Sequence, residues 1–197
     1  MSTIDLIVKG GEKVLKKSAR GFTLVELLVV IAIIAILAAV VVLIINPLEL
    51  IRRGRDAARL ADLANLQSAI NVSVQEATGS GTVGILCKVS GAYPCGGAAG
   101  QGQSNVGSRS SDGTGWVKVD LSSQQSVSVP TLPADPVNDA TAHYTYCADN
   151  NAWEINAKLE SAQQSNKMIN DGGDNPALYE VGSNLRLISP TGGSCTY

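Results

Sequence analysis

The chain has 197 residues, 45% of them hydrophobic, a formal charge of −2 and four cysteines. That length suits one domain plus an appendage, and the acidic balance leaves the body without a large basic footprint for nucleic acid. The charge is unevenly placed. Residues 1–21 carry five bases (Lys9, Lys13, Lys16, Lys17, Arg20) against Asp5 and Glu12, a net of +3, which leaves −5 for the remainder.

Residues 1–21 read as a basic leader. Phe22 then opens a run of 24 residues to Ile45 in which only Thr23 and Glu26 are not apolar. About 20 apolar residues suffice to cross the hydrocarbon core of a bilayer, so 22–45 is expected to be a spanning helix. The basic lead favours a cytoplasmic N-terminus with the acidic C-terminal part outside. The segment is too long for the apolar region of a secretory signal, and Ile45-Asn46-Pro47 does not fit a small-residue cut, so the helix is expected to be retained. Glu26 is the anomaly. A carboxylate in an apolar helix costs about 2.5–3.5 kcal/mol on insertion scales. No basic residue lies between Phe22 and Ile45, so its expected partner is a chain terminus, another molecule or water.

The residues Gly21-Phe22-Thr23-Leu24-Val25-Glu26, behind the basic lead from Lys16, closely resemble the prepilin cleavage and methylation motif of type IV pilins and pseudopilins. The match is dense from Lys16 to about Ala39 and looser beyond. The resemblance implies that a membrane prepilin peptidase cuts after Gly21 and N-methylates Phe22, and that Glu26 meets the N-terminal amine of a neighbouring subunit. Such a cut creates the cation that Glu26 lacks. Between staggered subunits the pair would set axial register, because a buried unpaired carboxylate penalises every other stagger.

Asn46-Pro47 removes one helical amide and is expected to kink the helix. The resemblance implies an altered helix in this neighbourhood too. Residues 46–78 continue as an amphipathic helix, with Leu63, Leu66, Ile70, Val74 and Ala77 on one face. Glu49/Arg53, Arg52/Asp56 and Asp56/Arg59 are spaced to pair along a solvated side. The cluster Arg52, Arg53, Arg55 and Arg59 could touch anionic head groups or acidic patches on neighbouring subunits, but a self-paired solvated face is preferred. Gly79-Ser80-Gly81 should end the helix. From Phe22 to about Thr78 this makes a rod of about 80 Å at 1.5 Å per residue, too long for the body to bury.

Residues 79–197 read as a globular sheet domain. Thr82–Val89 is a candidate strand, Cys87–Cys95 a loop, and Gly96–Gly115 an exposed polar loop. Trp116–Leu121 alternates like a strand. His143–Cys147 and Trp153–Leu159 are expected to form an antiparallel hairpin turning at Asp149-Asn150-Asn151. Asp135-Pro136 followed by Tyr144-Thr145-Tyr146 also resembles the sheet region of pseudopilins. Tyr179–Ile188 is a candidate edge strand. Cys87, Cys95, Cys147 and Cys195 all follow the span and fit two disulfides in an exported region. Three pairings exist; Cys87–Cys95 with Cys147–Cys195 is preferred, since the first closes a short loop and the second staples the C-terminus. Zinc is disfavoured without a C-x-x-C spacing.

Catalytic constellations are thin. His143 is the one histidine, no G-x-S-x-G elbow accompanies it, and neither a Walker A loop nor H-E-x-x-H occurs. No cofactor is expected. Because some pseudopilins bind calcium in a C-terminal loop, the resemblance makes Asp171, Asp174 and Asn175 a calcium candidate. Their spacing is not that of an EF-hand, and a polar loop is preferred. Asp135, Asn138 and Asp139 are candidates for turn chemistry. The expected fold is α+β, a long N-terminal helix, half of it transmembrane, packed on a small antiparallel sheet.

The expected function is that of a filament subunit and not an enzyme. It would be anchored in the cytoplasmic membrane in lipid and then assembled outside it with copies of itself or other pilins. The resemblance implies a platform protein and an ATPase as further partners. Alternatives are a minor pilin or type II secretion pseudopilin, and, from another class, a membrane-anchored extracytoplasmic enzyme or binding domain.

Overall fold

A computed structural model describes residues 21–77, 85–88, 102–124, 126, 128–149, 152–189 and 194–197, and the chain divides into two units after Ile45. The first holds helix α1 (Leu24–Ile45, 22 residues), about 33 Å long at 1.5 Å per residue. Residues 24–42 are exposed throughout. Among the described residues this is the one helix long and apolar enough to cross a membrane.

Helix α2 (Pro47–Glu76) begins the second unit. Pro47 cannot donate the amide that a continuing helix needs, and Asn46 takes a left-handed backbone (φ 45°, ψ 77°), which asparagine tolerates better than most residues. Asn46 Oδ1 accepts the Glu49 N–H at 3.4 Å, so the residue that ends one helix caps the next. The expected kink is thus a full interruption. α2 ends at Glu76, with the Ala77 N–H on the Ser73 carbonyl; Gly79-Ser80-Gly81, the expected stop, lies outside the described residues.

Four antiparallel strands follow: β1 (Gly102–Gln103), β2 (Thr145–Asp149), β3 (Ala152–Ala157) and β4 (Tyr179–Gly182), neighbouring in that order. β2 and β3 are the expected hairpin, paired from Thr145↔Asn156 to Asp149↔Ala152. Side chains alternate across the sheet. Tyr146, Ala148, Trp153, Ile155, Ala157 and Val181 join Leu63, Leu66 and Ile70 of α2 in the main core. The opposite face presents Cys147 and the polar Thr145, Glu154, Asn156 and Glu180, all buried. The C-terminal segment covers that face: Leu187, Ile188 and Cys195 cluster with Cys147, and a Cys147–Cys195 disulfide closes it. Cys87 lies in the main core, and Cys95, its expected partner, falls outside the described residues. A short helix, α3 (Ser165–Ile169), precedes β4.

Three expectations for the middle of the chain need correction. Ile85–Lys88 is a helical turn and not strand; Leu86 and Cys87 are both buried, which period-two alternation does not give. Trp116–Leu121 forms no regular strand, only a bridge between Asp112 and Asp120. Its Trp116, Val117, Val119 and Leu121 still fill the core. Residues 102–115 are not a free loop, because Gly102 and Gln103 pair with β2. A Cβ on Gly102 would lie 1.4 Å from the Trp116 carbonyl oxygen, so only glycine permits that approach.

The buried stripe of α2 starts with charges. Asp56, Arg59, Leu63, Leu66, Ile70 and Ser73 recur at intervals of three and four and are all buried. Arg59 donates through Nε and a terminal nitrogen to both oxygens of Asp135 (2.6 and 2.8 Å), and through the other nitrogen to Asp56 (2.9 Å) and Glu160 (2.8 Å). Burial alone would lower the Arg59 pKa, but these acceptors outweigh it and hold the charge firmly. Asp56 also accepts the N–H groups of Glu160 and Ser161. The expected solvated pairing of Arg59 with Asp56 exists but sits in the interior, while Glu49 and Arg53 pair outside as expected at 3.3 Å.

On the covered polar face, Glu154 Oε2 accepts the Leu187 and Ile188 N–H groups at 2.7 and 3.0 Å. Among the described residues its buried Oε1 has no hydrogen-bond partner, and the Glu154 carboxyl interacts with that of Glu180. Burial first, then Glu154 and Asp171, push Glu180 up to about 8.

Arg59→Ala strands Asp56 and Asp135 in the interior. It is expected to cost about 3–5 kcal/mol in chemical denaturation of the detergent-solubilised chain. Arg55→Ala, removing a part-exposed partner of Glu160, should cost less than about 1 kcal/mol. Equal losses would show that burial does not set the difference. Stability should also depend on pH in both directions. Glu180, raised in the folded state, stabilises fully below the ordinary carboxylate range, and that contribution is lost as pH rises toward about 8. Glu160, held down to about 2 chiefly by Arg55 and Arg59, stabilises above that range and is lost as pH falls toward 2. Thermal melts should thus peak in mildly acid solution, and Glu180→Gln should flatten the alkaline limb. An unchanged limb in that variant would assign it to other groups.

Candidate functional site

Three bonds define the start of α1. The Thr23 N–H and Oγ1 both donate to Glu26 Oε2 (2.9 and 2.8 Å), and the Glu26 N–H donates to Thr23 Oγ1 at 3.2 Å. This is a capping box: the hydroxyl satisfies an orphan amide of the first turn, and the carboxylate reaches back to the cap's own amide. The carboxylate also lies at the positive end of the helix dipole. The expected partner of Glu26 was a chain terminus, another molecule or water. The carboxylate has Thr23, a partner signalled by T-x-x-E ahead of an apolar run. Only Oε2 is engaged; among the described residues Oε1 has no donor.

Gly21 and Phe22 lie ahead of the helix. Phe22 is 82% exposed, and a Cβ on Gly21 would meet nothing within 4 Å. The expected cut and methylation positions therefore form an accessible, non-helical dipeptide directly before a capped apolar helix.

The other candidates do not assemble into a reaction centre. Asp171 uses Oδ1 for the Gly173 N–H and Oδ2 for the Glu180 N–H, and Asn175 Oδ1 takes the Ala177 N–H. Asp171 and Asn175 of the calcium candidate thus act as turn formers, and among the described residues no three acidic, histidine or cysteine side chains are grouped to hold a metal. Asp135 and Asp139 likewise accept backbone amides of their own turns, and Asn138 takes a left-handed φ of 52°. His143 is buried, with Nδ1 3.0 Å from the Asp139 carbonyl and its ring stacked on Tyr197 at 4.5 Å. Among the described residues no serine hydroxyl bonds it.

Residues 16–42 match the family model of the prokaryotic N-terminal methylation motif. No curated protein and no solved structure matches the chain. The matched span contains Gly21, Phe22, the Thr23–Glu26 cap and most of α1, and a motif of this kind points to a structural subunit more than to an enzyme. The chain carries the prepilin-type cleavage and methylation motif of type IV pilins.

Proposed function

We propose that the chain is a structural subunit of a type IV pilus-like filament. A prepilin peptidase cuts after Gly21 and methylates the new amine of Phe22. The mature subunit waits in the cytoplasmic membrane through α1 and then joins copies of itself or related pilins, driven by a platform protein and an ATPase. The observation that carries this reading is the α1 unit: an apolar helix of 22 residues, exposed over residues 24–42, whose single charge, Glu26, sits in its first turn directly behind an accessible Gly21-Phe22.

Glu26 provides the register. Its Oε1, without a donor among the described residues, is available to the α-amine of a neighbouring Phe22, and a stagger that misses the amine leaves a carboxylate uncompensated among apolar helices, at about 2.5–3.5 kcal/mol on insertion scales. A role as a minor pilin or secretion pseudopilin uses the same chemistry and differs only in where along a filament the subunit is placed.

Intact-mass and N-terminal analysis of the protein from its native membrane tests this reading, with and without active prepilin peptidase. A chain beginning at N-methyl-Phe22 only when the peptidase is active is expected. An uncut chain, or one cut beyond Ile45, would overturn it.

A further inference from the structure

A peptide bond inside a helix has its amide and carbonyl tied to neighbours four residues away, so a peptidase needs its target bond outside the helix. Residues just ahead of α1 include Ala19 and Arg20, both good helix formers, and a helix start without a firm cap frays or creeps upstream. Here the start is fixed. The three Thr23–Glu26 bonds make Thr23 the cap and Leu24 the first helical residue, which leaves the Gly21–Phe22 bond in non-helical chain.

We propose that Thr23 is a positioning residue for maturation, its capping box holding the helix start at Leu24 so that the Gly21–Phe22 bond stays open to the peptidase. The inference rests on the reading of Gly21 as the cut position. In the reaction it serves, water adds across the Gly21–Phe22 amide: the C–N bond breaks, Gly21 keeps the new carboxylate, and Phe22 receives the proton and becomes an α-amine. Capping uses Glu26 Oε2, and among the described residues Oε1 has no donor, which leaves it open to an amine. The same carboxylate serves presentation before the cut and pairing after it.

The test uses the full-length chain in membrane vesicles with purified prepilin peptidase, following leader release by intact mass. Thr23→Val removes the capping oxygen and is expected to slow the initial rate measurably, by at most about five-fold, the factor by which loss of a typical N-cap shifts a helix start. Thr23→Ser and Thr23→Asn, which both cap, should restore a rate close to that of the unaltered chain. Equal rates for Thr23→Val and the unaltered chain would overturn the proposal. So would rescue by serine without rescue by asparagine, because the peptidase would then be reading the hydroxyl itself. An unaltered chain that remains uncut overturns the processing reading beneath it, a result distinct from either of these.

Discussion

A guanidinium in the interior has no means of shedding its charge and has five N–H donors to satisfy. Arg59 lies on the buried face of α2, and its solution dictates how the second unit is put together. Asp135 precedes the hairpin in sequence, and Glu160 follows it; both reach the same guanidinium. Asp135 turns its remaining capacity to the Val137 and Asn138 amides, and Asp56 takes those of Glu160 and Ser161. The chain entering β2 and the chain leaving β3 are therefore pinned to one turn of one helix. Apolar packing of Leu63, Leu66 and Ile70 contributes the larger free energy, but it tolerates sliding. A planar fork with fixed acceptors does not.

The sheet is buried on both sides, which is unusual for so small an antiparallel layer. One side meets α2 through aromatic and aliphatic groups. The other side is polar, and its cover is the chain's own C-terminal segment, held by two N–H bonds to Glu154 and by the Cys147–Cys195 disulfide. Tyr197 extends this closure: its hydroxyl donates to the His143 carbonyl at 3.0 Å, and its ring stacks on the imidazole. Burying two glutamates without a facing base costs less when they share a proton than when both are charged. The raised Glu180 follows from that geometry.

Legibility in the sequence tracks periodicity. The hairpin and the apolar stripe of α2 are readable because alternation and three-four spacing survive in the side chains themselves. Residues 102–121 are not, since what holds them is local and backbone-directed. Gly102 admits the Trp116 carbonyl, the Ser104 hydroxyl receives the Tyr144 N–H at 2.8 Å, and the Trp116 indole donates to the Pro133 carbonyl at 2.9 Å. Glycine and serine richness there signals close approach and reads as looseness. Arg59 shows a different limit. The i,i+3 spacing correctly pairs it with Asp56, but spacing carries no information about depth, and acceptors 76 and 101 residues away decide that. Thr23 is the reverse case. Its T-x-x-E signal is plain in the sequence, and the partner it gives Glu26 is a neutral donor three residues away where charge alone calls for a cation.

The two units solve opposite problems, and α1 has the narrower solution. Lipid is as apolar as the side chains of α1, so moving the helix from a bilayer into a bundle of like helices gains little from the hydrophobic effect. In the proposed assembly, packing and polar pairing would have to supply the preference, and Glu26 is the one ionisable side chain in α1. A carboxylate with both oxygens consumed by its own helix would be inert in assembly. One with neither engaged would be a standing penalty in the membrane. Binding Thr23 through Oε2 alone places Glu26 between these limits, partly compensated in a lone helix and still able to accept one strong donor. On the proposed reading, that division of a single carboxylate would let the same residue tolerate the bilayer and discriminate among the ways of leaving it.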